Sequence, residues 1–131
     1  MNTVKYSLAS LFLITVVLLC PMDTAGKTVY IRNYLSGRKI LSVHCKSGDD
    51  DLNLHTLPSG RGEWGFSFNP NIFGTTLFYC ELSWMAGLNR VLTVYDDGKR
   101  WSSRNNLYWL INDDHYCLCY SAIERWGCWN W

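Results

Sequence analysis

Three histidines, His44, His55 and His115, are where acid–base chemistry near neutral pH would have to originate, because imidazole is the side chain that changes charge there unaided. A ribonuclease-like arrangement would need two of them plus a cation, for which Lys46 is the nearest choice. His44 and Lys46 fall on the same side of one alternating run, but nothing in the spacing brings His55 or His115 to them. Structural or surface roles are favoured for all three, and no enzyme is expected. A metal centre fares no better. His44-Cys45 and Cys117-x-Cys119 contain ligand types but lack the paired spacing of zinc sites. Asp49-Asp50-Asp51 lacks the alternation, glycine and distal glutamate of a calcium loop. No cofactor or metal is expected, and the nucleophile elbow, phosphate loop, dinucleotide fingerprint and paired-histidine protease motifs do not occur.

The elements that must position these residues are short and β-like. Apolar and polar residues alternate at Val29 and Ile31, at Leu41, Val43 and Cys45, at Leu52 and Leu54, and at Trp64, Phe66 and Phe68. The longest strand expected runs from Thr75 to Trp84; Val91 to Tyr95, Leu107 to Ile111 and His115 to Ser121 follow. Turn chemistry separates them at Asn33 to Gly37, Pro58 to Gly60, Asn69 to Asn71, Asp97-Gly98 and Asn112 to Asp114. With no helical stretch between strands, the pattern predicts an all-β protein, an antiparallel β-sandwich of seven or eight short strands. Trp64, Phe66, Phe68, Phe78, Trp84 and Trp109 are expected to fill the space between the sheets. Trp126, Trp129 and Trp131 are expected to close one end rather than stay exposed.

Residues 1–26 read as a removable secretory signal: Lys5 precedes an apolar run from Leu11 to Cys20, with Thr24, Ala25 and Gly26 as small residues at its end. The run is too short for a bilayer span, so no direct membrane insertion is expected. Residues 27–131 then form one domain. Lys5 and Asp23 leave together, so the net charge stays at +1, without the basic excess that nucleic acid binding needs. Cys45, Cys80, Cys117, Cys119 and Cys128 remain in an oxidising compartment, which implies two bridges and one spare thiol with the pairing open. A monomer is expected, with a disulfide-linked dimer as the outcome if the spare thiol pairs between copies.

The strings Leu41-Ser42-Val43-His44-Cys45-Lys46-Ser47 with Asp49-Asp50-Asp51-Leu52, Trp64-Gly65-Phe66-Ser67-Phe68, and Gly74-Thr75-Thr76-Leu77-Phe78-Tyr79-Cys80 resemble the plant self-incompatibility S-protein homologue family. Val94-Tyr95 and Trp109-Leu110-Ile111 with Asp114 extend the likeness over nearly the whole of 27–131. The resemblance implies a secreted, disulfide-stapled β-sandwich from a plant. It further implies a ligand for a membrane receptor on another cell, as when a pistil protein triggers rejection of self pollen. Cys45 and Cys80 match two family cysteines, and Cys117 and Cys128 its later pair, which leaves Cys119 as the spare. The family brings no catalytic residues. The chain departs from the pattern at Ser103 to Trp109, where a cysteine pair is usual, and at His115 and Asn53, where glycine is usual.

Loops are then the natural contact surface, with the sandwich as frame. Asp49, Asp50 and Asp51 form one charged loop, and Asp96, Asp97, Lys99 and Arg100 another of mixed sign suited to steering a receptor. The alternative from a different class is an extracellular carbohydrate-binding or defence protein that stacks exposed tryptophan and tyrosine on sugars.

Overall fold

A computed structural model describes residues 27–120 and 127–131. The expected secretory leader and Trp126 lie outside these residues. Alternating runs become strands: β1 (Lys27–Asn33), β2 (Leu41–Lys46), β3 (Asp51–Leu57), β4 (Glu63–Phe68), β5 (Leu77–Ser83), β6 (Arg90–Asp96), β7 (Asn106–Ile111), β8 (His115–Cys119) and β9 (Cys128–Asn130). A short 3-10 helix, Arg100–Ser103, joins β6 to β7. In β2 the pattern is literal: Leu41, Val43 and Cys45 are buried and Ser42, His44 and Lys46 half-buried, because successive side chains leave opposite faces.

Two sheets result, one in the order β4-β1-β7-β8-β9 and the other β3-β2-β5-β6. The ladders are antiparallel except β1 with β7, which run parallel. The expected two-sheet β-sandwich is present, and this one parallel ladder is its exception to antiparallel pairing. Strands so far apart in sequence are not held to hairpin geometry, so the intervening chain is free to return in either direction. β5 starts at Leu77 rather than Thr75, because Thr75 and Thr76 belong to the preceding loop.

The core lies between the sheets. Val29, Ile31, Leu107, Ile111 and Leu118 from one sheet meet Leu41, Val43, Leu82, Leu92 and Val94 from the other. Trp109 is buried with them, and its indole N–H donates to the Val94 carbonyl at 3.0 Å, so the largest side chain in the core leaves no polar atom unmet. Trp64, Phe66 and Phe68 are half-buried rather than interior, since β4 is an edge strand with a neighbour on one side only. They still join the sheets: Phe66 and Phe68 pack on Phe78 at 4.9 and 4.7 Å between ring centres, and Phe68 meets Tyr95 edge-on at 4.6 Å.

Polar residues fix the strand ends. Asn33, fully buried, donates its amide to the carbonyls of Lys39, Leu57 and Pro58 at 3.0 to 3.1 Å and accepts from the Leu35 N–H at 2.9 Å. One side chain therefore ties the connection between β1 and β2 to the end of β3 and the residue after it. Asn53 has φ +67° at a bulge where β3 gains one residue on β2. Asparagine adopts this left-handed conformation at modest cost, so the bulge does not require glycine at this position.

Cys45 bonds Cys80, and Cys117 bonds Cys128. Each pair sits directly opposite in an antiparallel ladder, so each bridge fastens neighbouring strands. Cys119 corrects the expectation of a spare thiol: it is fully buried and disulfide-bonded, and no cysteine among the described residues is free. The expectation rests on the odd count of five cysteines in residues 27–131. Cys119 therefore offers no thiol to a second copy. The tail closes as expected in part. Trp131 packs on Tyr116 at 4.5 Å and donates to the Asn112 carbonyl at 2.9 Å, whereas Trp129 stays 41% exposed.

Candidate functional site

Three connections converge at one end of the sandwich: the 47–50 loop between β2 and β3, the 69–76 loop between β4 and β5, and the 96–99 turn after β6. The first two enclose a groove of about 460 Å³ whose walls include Ser47, Asp49, Asp50, Asn71, Thr75 and Leu77. Its lining holds two carboxylates and no cation.

The 47–50 loop is organised by Ser47, whose hydroxyl accepts the Asp50 N–H at 3.0 Å while its own N–H donates to the Asp50 carbonyl at 2.8 Å. Those bonds use the backbone and leave the exposed carboxylates of Asp49 and Asp50 facing solvent. Asp51 is differently placed. Its carboxylate accepts from His44 Nε2 at 2.6 Å and from the Asn53 N–H at 2.9 Å, and these bonds hold it below the ordinary carboxylate range.

The 69–76 loop is built on Asn71. Its N–H donates to the Thr76 hydroxyl at 2.8 Å, its side-chain amide to the Thr75 hydroxyl at 2.9 Å, and its side-chain oxygen accepts from Phe73 and Thr75 N–H groups at 3.1 Å. Gly74, at φ +68°, closes the turn by donating to the Asn71 carbonyl at 3.4 Å.

The mixed-charge loop divides in two. Asp97 accepts the Thr76 N–H at 3.0 Å and the Tyr95 hydroxyl, and Asp96 accepts the Gly98 N–H at 2.9 Å. Both aspartates are half-buried braces of the turn. Lys99 and Arg100 are exposed. Burial, with Asp97 beside it, pushes the Tyr95 phenol well above its ordinary range.

The histidines are scattered and individually engaged. His44 holds Asp51 on the outer face of the β3-β2-β5-β6 sheet. His55 stacks on Trp64 at 4.2 Å and contacts the Leu52 carbonyl at 2.8 Å, and His115 pairs with Asp114 at 2.5 Å in the other sheet. Among the described residues no three histidine, cysteine or acidic side chains are grouped to hold a metal. Residue patterns did not point to Asn71 or to its two apolar neighbours, Ile72 and Phe73. The available signal was the pair itself, bulky apolar residues inside Asn-Pro-Asn-Ile-Phe-Gly, where turn chemistry favours small polar ones.

Comparison with known proteins decides the family. The family model described as plant self-incompatibility protein S1 matches residues 28–131, all of the described domain but its first residue. The chain belongs to this family. S-protein homolog 3 of Arabidopsis thaliana is 43% identical over 76 residues, 58% of this chain and 49% of that protein, so the match spans about half of the relative's length. Self-incompatibility protein S1 of Papaver rhoeas is 37% identical over 90 residues, covering 66% of this chain and 63% of that one.

A solved structure of a self-incompatibility protein homologue superposes with a TM-score of 0.58 at 16% identity, over 77% of this chain and 91% of that one. It supports the S-protein fold seen here, and it is described as coming from a widespread family of small, highly stable, secreted plant proteins. Membership places this chain among secreted, disulfide-bonded, β-rich S-protein homologues.

Proposed function

We propose that this S-protein homologue is an extracellular signalling ligand, read by a receptor protein on the surface of another plant cell through the loop end of its sandwich. The observation that supports it most is the groove end itself: Asp49 and Asp50 are exposed, with no side-chain partner among the described residues, at an end held by Ser47, Asn71 and Asp97. A rigid frame presenting unspent charge suits recognition, because ordering costs have already been met in the free protein. Lys99 and Arg100 extend the exposed charge along the neighbouring turn.

Catalysis is not part of this reading. The histidines stand apart, each engaged with its own neighbour. Sugar stacking receives little support either, since among the described tryptophans only Trp129 is counted as exposed. Pollen rejection is one setting in which such a ligand would act, and the Papaver rhoeas relative carries self-incompatibility in its name.

The test is saturable binding of the purified mature protein, disulfides intact, to plasma-membrane vesicles from reproductive and vegetative plant tissue. Labelled protein should bind with a plateau and be displaced by unlabelled protein. A double Asp49→Lys/Asp50→Lys variant should displace it poorly; equal displacement would remove the acidic loop from the assignment.

A further inference from the structure

Ile72 is 93% exposed and Phe73 80% exposed, the two most exposed large apolar side chains described. They sit side by side at the tip of the 69–76 loop, and the residues flanking them, Asn71 and Thr75, line the acidic groove. Leu77, 42% exposed, adds an apolar side chain to the groove wall.

Neither tip side chain contributes to the core, so folding does not account for them. The backbone N–H groups of Asn71 and of Phe73 through Thr76 are nevertheless all hydrogen-bonded. The Asn71 side chain grips the Phe73 and Thr75 N–H groups, Gly74 closes the turn, and Thr76 is anchored to Asp97. A loop this well satisfied holds its tip in place before any partner arrives, and an aromatic anchor on a fixed backbone is the kind of residue that dominates binding energy when it enters a pocket.

We infer that Ile72 and Phe73 form an apolar plug that inserts into a socket on a partner protein, and that the socket's rim carries lysine or arginine opposite Asp49 and Asp50. This rests on the receptor-ligand reading above and names its contact. The charge beside the plug selects the occupant. Two carboxylates in the groove lining oppose approach to an anionic membrane, Lys99 and Arg100 lie outside that lining on the neighbouring turn, and two apolar side chains bury too little to hold a protein on lipid by themselves. A symmetric pairing of two copies through this groove would bring Asp49 and Asp50 no cation from the groove lining itself. A basic-rimmed protein socket satisfies both the plug and the carboxylates.

The experiment is competition for labelled wild-type protein on plant plasma-membrane vesicles. Ile72→Ser/Phe73→Ser retains turn-compatible residues, and its disulfides and unfolding midpoint should match the wild type, since the replaced side chains are solvent-exposed. Its competing potency should fall by about 30-fold or more, the scale of an interface anchor. Met85→Ser, which alters an exposed apolar residue 55% accessible on another loop, should compete like the wild type.

Asp49→Lys/Asp50→Lys should weaken competition and reduce its salt dependence. Equal potency of the Ile72→Ser/Phe73→Ser variant overturns the plug while leaving the receptor reading intact. Absence of saturable wild-type binding overturns both. Binding that survives protease treatment of the vesicles, or that protein-free phosphatidylcholine/phosphatidylserine vesicles reproduce, overturns the plug in favour of lipid. Self-association at micromolar concentration that Phe73→Ser abolishes overturns it in favour of a second copy.

Discussion

Thr76 and Asp97 hold each other twice: the Thr76 N–H donates to the Asp97 carboxylate at 3.0 Å, and the Asp97 N–H donates to the Thr76 carbonyl at 3.1 Å. This pair ties the loop leaving β4 to the turn leaving β6, and the Tyr95 hydroxyl completes the carboxylate's set of partners. It makes Asp97 a structural brace at the same end where Asp49 and Asp50 remain available.

Replacing that brace should loosen the loop before it unfolds the protein. Asp97→Ala is expected to cost about 2 kcal/mol, the usual scale for losing a hydrogen-bonded carboxylate partner, and to speed hydrogen exchange at the Thr76 amide far more than at Val43 in the core. Urea unfolding and native-state exchange measure the two effects. Uniform exchange across both sites would show that Asp97 does not brace the loop separately.

Asn33 should be among the most sensitive polar positions. Asn33→Ala removes an amide whose two N–H groups are shared among three carbonyls, and one accepted bond, from a fully buried site, and a loss of roughly 3 kcal/mol or more is expected in chemical denaturation. Asn33→Asp should do no better, because a carboxylate cannot donate to the Lys39, Leu57 and Pro58 carbonyls.

The Cys45–Cys80 and Cys117–Cys128 bridges should differ in worth. Cys45–Cys80 closes a separation of 35 residues and Cys117–Cys128 one of 11. Chain entropy assigns about 4 and about 3 kcal/mol to them. Cys45→Ala/Cys80→Ala also opens space in the core, where both sulfurs are fully buried, so its denaturation midpoint should fall further than that of Cys117→Ala/Cys128→Ala. The reverse order would place the main constraint at the tail.

Alkaline pH should expose the buried phenols. Burial raises the folded-state pKa of Tyr95 and Tyr108 above the unfolded value near 10, with Asp97 adding to the shift at Tyr95 and Tyr30 at Tyr108. The unfolded chain therefore releases these protons first. Their contribution to stability is fully present below pH 10 and is lost progressively as pH rises from there through the folded-state values. Absorbance titration should show two tyrosines silent at pH 11 in native protein and titrating there in urea. Tyr95→Phe should lessen the decline in stability above pH 10.

Much of the architecture is legible before any coordinates. Alternation marks β1 through β8 within a few residues, because one face of each strand must be apolar to bury against the opposite sheet. Its failures are informative. β9, only Cys128–Asn130, is too short to alternate and exists through its pairing with β8. Trp64, Phe66 and Phe68 show the right face but not the degree of burial, because a strand's composition does not say whether it will be central or at an edge.

The site divides along the same line. Residue types alone identify a charged loop at Asp49 to Asp51 and offer no spacing that gathers the histidines, and the strings around Cys45, Trp64 and Cys80 carry the family. Only the tertiary structure separates Asp49 and Asp50, which face solvent, from Asp51, Asp96 and Asp97, whose carboxylates hold His44, Gly98 and Thr76. It likewise decides that β1 runs parallel to β7 and that the apolar pair Ile72 and Phe73 stands beside the acidic groove. The reason is physical. Strand formation follows a local period of two that any short window contains, whereas a carboxylate's role depends on which distant backbone N–H folding brings within 3 Å of it.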